Sequence, residues 1–263
     1  MEWLGDNTSD DRKLRSYEDN QRLRQILCDV DADILAVQEV EHEQALQRVL
    51  IDSSKVKHPD AAKLLHYAFV LGNTGGKQRI GFLYRFPVQL LWVQEVLGIA
   101  VEEGRTRAGL LAMFRVDTIQ WLVLAVHLKS SSRSDSTQEL RRRSISIRAA
   151  QAAYVRHLTD SLCTHMPSVP FVILGDFNDT PRRRHTTLDT LQSSPHLTFL
   201  TLDQTSCAFS GLPSIDHIVV SHAALQRFMR GTLRTINTYA MLPEHAARQI
   251  SDHCPIVAQF SIQ

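Results

Sequence analysis

Apolar positions recur along this chain with two different periods. Over Tyr17–Val30, Leu23, Ile26, Leu27 and Val30 fall three or four residues apart, the spacing that places side chains on one face of a helix. The same period runs from Thr137 to Cys163, with Leu140, Ile147, Tyr154, Leu158 and Leu162 as the face. Elsewhere the apolar residues form short, often β-branched runs: Ile34–Val37, Tyr67–Leu71, Ile80–Tyr84, Gly109–Val116, Trp121–His127, Phe171–Leu174, Ile215–Val220 and Pro255–Ile262. Runs of this kind predict strands that are half or fully buried.

From about Tyr67 to His127, strand follows strand with no helix between them, while strand–helix–strand stretches lie on either side. That order predicts a mixed sheet rather than a purely doubly wound one. The chain has no repeat of fixed period, no low-complexity tract and no Pro/Gly-rich linker, so residues 1–263 read as one domain. The polar stretches Gly72–Lys77, Ser130–Thr137 and Thr180–Thr187 are expected to be surface loops.

Composition narrows the function. At 263 residues and 43% hydrophobic, the chain can bury a substantial core. Its 29 Lys and Arg balance 28 Asp and Glu, which excludes a protein that holds nucleic acid by bulk charge but leaves room for a local basic cleft. No apolar run is long enough to span a bilayer. Cys28, Cys163, Cys207 and Cys254 lack CxxC spacing and are expected as small buried hydrophobes, although the even count permits two disulfides. Met1–Gly5 runs straight into polar sequence without an apolar signal segment, and the compartment stays open.

Candidate chemistry gathers where apolar runs end. Asp33–Glu39 is a strand closing on a carboxylate, Leu122–Ser130 places His127 and Lys129 after a strand, and Phe171–Asp179 ends in Gly175-Asp176-Phe177-Asn178. Ser214-Ile-Asp216-His217 and Ser251-Asp252-His253-Cys254-Pro255-Ile256 complete the set. Taken singly, each has an ordinary explanation: an exposed strand-end Glu, a satisfied histidine, an Asx turn, a capping Asp. Together they supply what phosphodiester cleavage needs, namely oxygen ligands for a hard cation, a group to orient water, and donors to phosphate oxygens. Glu39 and Asp252 suit Mg²⁺ or Mn²⁺, Asp176 suits the water, and Asn178 would point the same way as Asp176 in an extended strand.

Ile34-Leu-Ala-Val-Gln-Glu39, Gly175-Asp-Phe-Asn178, Ile215-Asp-His217 and Ser251-Asp-His-Cys-Pro-Ile256 resemble, in order and spacing, the motifs of the DNase I-like endonuclease/exonuclease/phosphatase superfamily. The likeness runs from about residue 30 to the C-terminus, and Gln78–Tyr84 and Arg107–Leu111 look like its middle strands. The resemblance implies an α/β fold, a four-layered α/β sandwich of two packed mixed β-sheets flanked by helices. It implies Glu39 as principal metal ligand, Asp252 as second acidic residue of the metal site, and Mg²⁺ (or Mn²⁺) as cofactor. Asp176 would position the attacking water, Asn178 would contact the scissile phosphate, and His253 would be the essential histidine, oriented by Asp216. His127 would be the other phosphate-side histidine, while His217, on the opposite strand face, is expected to be structural.

Two departures stand out. The strand that opens the family, with its asparagine, is expected to be missing, as though the chain were N-terminally truncated; Asn7 is not given that role. Gln78 stands where a DNase I-like enzyme has a Glu supporting the equivalent of His127. Inositol-phosphatase motifs and a membrane-docking segment are not visible, and His127 with Lys129 points away from abasic-site enzymes, which leaves non-specific nucleases as the nearest likeness. Arg182, Arg183 and Arg184 should flank the site, either gripping phosphates or forming a solvated first helical turn, and Lys129 is expected to reach substrate. Arg141–Arg143 reads as a solvated helix face. The leading expectation is a monomeric metal-dependent nuclease acting on DNA, with RNA not excluded. The alternatives are a phosphatase on a lipid or small-molecule phosphate, and a truncated non-catalytic member.

Overall fold

Strands that are apolar on both faces must be covered on both sides, and the chain meets that demand with four layers. The computed structural model describes residues 4–5, 15–51, 61–131 and 135–263; the stretch holding Asn7 lies outside them. The chain first forms α1 (Tyr17–Val30), β1 (Ile34–Val40) and α2 (Glu43–Ile51). Five strands follow: β2 (Tyr67–Leu71), β3 (Arg79–Arg85), β4 (Gln89–Val96), β5 (Gly109–Val116) and β6 (Ile119–His127). Next come α3 (Gln138–His165), β7 (Phe171–Asp176), α4 (Asp189–Gln192), β8 (Leu197–Phe199) and β9 (Asp216–Ser221). The C-terminal part adds α5 (His222–Arg227), β10 (Arg234–Thr235), α6 (Thr238–Met241), α7 (Glu244–Ile250) and β11 (Ile256–Val257).

One sheet has the order β1-β3-β2, the other β4-β5-β6-β7-β9-β8, and β10-β11 forms a separate ribbon. Within the six-stranded sheet β6–β7 is parallel and the other pairs are antiparallel. This is the mixed sheet the strand order predicts. Alternation then sorts the side chains. Leu110, Ala112, Phe114, Trp121, Val123, Ala125, Val172, Ile218 and Val220 join Ile80 and Phe82 in the core between the sheets. Leu111, Leu122, Leu124, Val126 and Ile173 face Ala152 and Val155 of α3. Val37 and Leu83 face α1 and α2 through Leu23, Ile26, Leu46 and Val49.

Helix α1 begins with a reciprocal capping box. The Ser16 hydroxyl accepts from Asp19 N–H at 3.1 Å and the Asp19 carboxylate accepts from Ser16 N–H at 3.0 Å. Helix α3 starts where Thr137 caps it, but its buried face is Ser144, Ile147, Arg148, Gln151, Ala152, Val155 and Thr159. Tyr154 sits at the margin, 39% exposed.

Several expectations need correction. Pro255–Ile262 does not form one strand: only Ile256 and Val257 pair, because their partner β10 is two residues long, and Phe260 makes a lone bridge to Phe228. Strand β4 escapes a pattern reading because it is an edge strand with a bulge between Leu90 and Trp92, so its alternation is broken. Cys207 and Cys254 form a disulfide across 47 residues, whereas Cys28 and Cys163 are thiols outside any disulfide. The 180–187 stretch is not simply a surface excursion: Thr180, Pro181, Thr186 and Thr187 are buried beneath its exposed arginines.

The edge of β1 away from β3 is paired, among the described residues, by Leu4, which bridges Val40 in parallel register. Leu4 N–H donates to Glu39 O at 2.7 Å and Glu41 N–H to Leu4 O at 2.8 Å. Beyond that bridge β1 faces a cavity of about 580 Å³, with Ile34, Ala36 and Gln38 on one wall and Ile256, Ala258 and Phe260 on the other.

Arg148 is the largest fully buried side chain. Its guanidinium donates to Thr187 Oγ1 at 3.1 Å, Lys129 O at 2.7 Å and Ser131 Oγ at 3.3 Å, and lies 3.7 Å from Asp179. Burial acts to pull its charge off, and the Asp179 carboxylate opposes this. Arg148→Met is expected to lower unfolding free energy by about 3 kcal/mol, the scale for stranding one partner of a buried pair. Denaturant melts read this directly, and a loss under ~1 kcal/mol would show that the network is not structural.

Candidate active site

Register across three strands brings the polar ends together. His127 is opposite Asp176 in the β6–β7 pair, and Asp176 is opposite Asp216 in the β7–β9 pair. By alternation these three side chains continue the rows of Ala125, Leu174 and Ile218, so the inter-sheet apolar face ends in a row of acid and imidazole. His127 Nε2 lies 3.5 Å from Asp176 Oδ2. His253, from the loop after α7, places Nδ1 at 2.7 Å from Asp216 Oδ2. The Asp252 carboxylate lies 3.6 Å from His253 Nε2.

Glu39 reaches this row from the other sheet by a bulge. Pairing between β1 and β3 runs in step to Val37 and resumes at Val40 after gaining one residue, and Glu39 takes a left-handed φ of 57°. A bulge with a positive φ re-aims a side chain at a defined place. The neighbouring Gln38 side chain crosses the sandwich, its Nε2 donating to Val126 O at 2.7 Å. It passes over Gly175, where a Cβ would lie 2.0 Å from Val126 O and 2.4 Å from Gln38 Nε2. Gly175 also has φ +134°, so the Gly-Asp-Phe-Asn motif needs its glycine both for conformation and for space.

Asn178 does not follow strand alternation. It lies past the end of β7 with φ 53°, and its backbone N–H donates to Asp176 Oδ1 at 2.7 Å. Its side-chain Nδ2 donates to Asp176 Oδ2 at 2.7 Å and to Leu128 O at 3.0 Å. The amide therefore fixes Asp176. His217, as expected, is structural: it is buried between Phe177 and Phe199, paired with Thr201 Oγ1 at 2.9 Å and Asp179 O at 3.0 Å. Burial holds its pKa below the usual imidazole value.

The basic residues divide. Lys129 turns onto its own loop, Nζ donating to Ser130 O at 2.8 Å. Arg183 pairs with the buried Asp179 at 3.0 Å, so it braces the 180–187 loop. Arg182 and Arg184 are exposed in a run of turns rather than in a helix. Arg107 is a site residue that the sequence reading missed. Its guanidinium contacts His127 Nδ1 and donates to Gln78 Oε1 at 3.1 Å, while Gln78 Nε2 donates to Glu39 Oε1 at 2.7 Å. The available signal was a cation just before β5, at the sheet end where the antiparallel β6 finishes with His127.

Burial and the neighbouring Asp216 raise the Asp176 pKa well above the carboxylate range, against the pull of His253 and the Asn178 N–H. For His253, burial disfavours charge, but the hydrogen bond to Asp216 and its negative charge prevail and push the imidazole up to about 9. Ligand atoms of Asp176, Asp216 and His253 lie within 4.8 Å of one another. A repulsive set of carboxylates, rich in oxygen donors, fits a hard divalent cation.

The model of the Endonuclease/Exonuclease/phosphatase family matches residues 5–253. No curated protein sequence matches the chain. Among solved structures, humanized D. rerio TDP2 is 17% identical with a TM-score of 0.64, the match covering 93% of this chain and 91% of that one. D. rerio TDP2 complexed with single strand DNA product gives 16% identity and a TM-score of 0.63, covering 93% and 92%. The mannosyl-6-phosphatase Bt3783 of Bacteroides thetaiotaomicron gives 15% identity and a TM-score of 0.59, covering 93% and 91%.

Gly175→Ala should lower stability by about 2–3 kcal/mol, since the backbone conformation and the Gln38 bridge both oppose a methyl group. Thermal and urea melts test this; an unchanged melt would mean that the sheets do not need the close approach.

Proposed function

We propose, from the premise that this chain belongs to the Endonuclease/Exonuclease/phosphatase family, that it is a divalent-metal-dependent phosphodiester hydrolase acting on DNA. The observation that carries the reading is the strand-end row of His127, Asp176 and Asp216, completed by His253 and by Glu39 from the facing sheet. Members of the family hydrolyse phosphoester bonds; the choice of DNA is supported by the exposed Arg182 and Arg184, by Arg107 within the site, and by a structural neighbour that holds a single-strand DNA product.

In this reading Glu39 and Asp252 hold Mg²⁺ or Mn²⁺, with Asp176 and Asp216 close by, and the cation when bound neutralises phosphate charge. Asp176, fixed by both Asn178 donors, orients a water and takes its proton as the oxygen attacks phosphorus. Burial, which favours its protonated form, suits it to accept that proton. His253, held through Nδ1 by Asp216, presents Nε2 to the phosphate and donates a hydrogen bond to an oxygen that gains charge. Arg107 supplies fixed positive charge beside His127, where Gln78 cannot.

Purified protein should nick supercoiled plasmid with Mg²⁺, and EDTA should abolish the reaction. Asp176→Ala, Glu39→Gln and His253→Ala should each reduce turnover ~10²–10⁴-fold while the circular dichroism spectrum is kept. Retained activity in any of the three would sink that residue's assignment. Phosphate release from sugar or lipid phosphates without nicking would move the substrate to the phosphatase class, and silence on all of them would favour a non-catalytic binding member. Arg182→Ala with Arg184→Ala should raise KM for DNA and flatten the dependence of log(kcat/KM) on log salt by roughly 1–2 units. Arg183→Ala should act on stability instead, through Asp179. A salt slope unchanged in the double variant would remove these arginines from the DNA path.

A further inference from the structure

The residue that follows His253 is Cys254, and its sulfur is bonded to Cys207 on the loop leading into β9. That loop closes on Ser214, whose hydroxyl accepts from Asp216 N–H at 3.1 Å. The disulfide therefore ties together the two segments that carry the two halves of the Asp216–His253 pair. Among the described residues, the side-chain hydrogen bond that joins the two segments directly is the 2.7 Å contact of the pair itself, while apolar packing of Ile256, Ala258 and Phe260 with Ile218 and Val220 begins only past Cys254. Next to His253, the chain enters β11, a ladder of only two residue pairs.

The surroundings of the two sulfurs differ. Cys254 is 8% exposed, whereas Cys207 is only partly covered. Thr238 N–H at 3.4 Å and the Thr238 hydroxyl at 3.1 Å both reach Cys254 Sγ. A disulfide sulfur can only accept, so both groups donate. An incoming thiolate is thus steered to Cys207, and the donors favour Cys254 as the leaving thiolate.

We propose that the Cys207–Cys254 bond is a redox-sensitive latch that positions His253 against Asp216 and releases it on reduction by an external dithiol. The proposal rests on the reading of that pair as catalytic. One thiolate of the dithiol attacks Cys207 Sγ, the S–S bond breaks, and its electron pair leaves on Cys254. The second thiolate then attacks the mixed disulfide and frees Cys207. Two electrons and two protons pass from the dithiol, which becomes a disulfide, to the two cysteines. Cys207 and Cys254 act as positioning residues, since they act through His253.

The test uses the full chain, air-oxidised and then treated with dithiothreitol under native conditions. Alkylation without reductant, done on the unfolded chain so that every thiol is reached, should label Cys28 and Cys163 but spare Cys207 and Cys254. Reduction should speed amide hydrogen exchange in 204–216 and 251–255 and lower kcat for plasmid nicking about tenfold or more, with KM changed less than twofold. Reoxidation should restore both. Cys207→Ser should match the reduced protein and ignore dithiothreitol, while Cys163→Ser should respond like the parent. Labelling of Cys207 and Cys254 without reductant would overturn the proposal, as would exchange and turnover that reduction leaves unchanged. Exchange rising along the whole chain would also overturn it, by making the bond a general staple. Protein that nicks plasmid in neither state defeats the nuclease reading alone, and the exchange comparison then decides the latch: local acceleration supports it and equality refutes it.

Discussion

The close approach of the two sheets at Gly175 is the contact on which the site depends. The Gln38 amide spans from β1 to Val126 O only because no Cβ stands between them. That bridge fixes the end of β1 at the point where the bulge turns Glu39 toward Asp176. Below it Phe82 and Phe114 meet edge to face at 5.5 Å between the sheets, and Trp121 packs on Phe260 at 5.4 Å beside the cavity that β1 faces. Packing sets the spacing along the sandwich, and the glycine sets it at the mouth.

Gathering carboxylates at that mouth is unfavourable unless something offsets their charge. Asp176 is buried beside Asp216, and both effects favour its protonated form. The protein supplies part of the compensation through His253, held charged by Asp216, and through Arg107. The remainder calls for a cation from outside, which is the usual reason that such clusters bind hard metal ions. The same concentration of charge that is costly to the fold is what the proposed phosphate chemistry would draw on.

Behind the candidate site residues lies a second layer of paired polar groups. Asp179 accepts from Thr180 N–H, Thr187 N–H and the Thr187 hydroxyl, and pairs with Arg183 and Arg148. Burial opposes its charge, but these hydrogen bonds and cations hold its pKa below the ordinary carboxylate value. Its backbone carbonyl also meets His217 Nε2. The turn through Asn178 is thereby held from below, so that its amide stays on Asp176 rather than pointing into solvent. Among the described residues no helix is long and apolar enough to cross a membrane.

The sequence alone determined whatever depends on local periodicity. Alternation and helical spacing located α1, α3 and most strands of the two sheets, and the motifs offered Glu39, Asp176, Asp216, Asp252 and His253 as candidates, because each lies at one end of an apolar run. Strand β4, helix α2 and the two-residue ladder at Ile256 were not legible, since a broken edge pattern, a short helix and a partner-limited strand carry little periodic signal. Tertiary structure alone decided which of these residues share a site. The register that aligns His127, Asp176 and Asp216, the disulfide of Cys207 with Cys254, the diversion of Asn178 to Asp176 and the place of Arg107 beside His127 all join segments far apart in the chain. Their pairing is set by the packing of two sheets in three dimensions, and no spacing along one dimension encodes it.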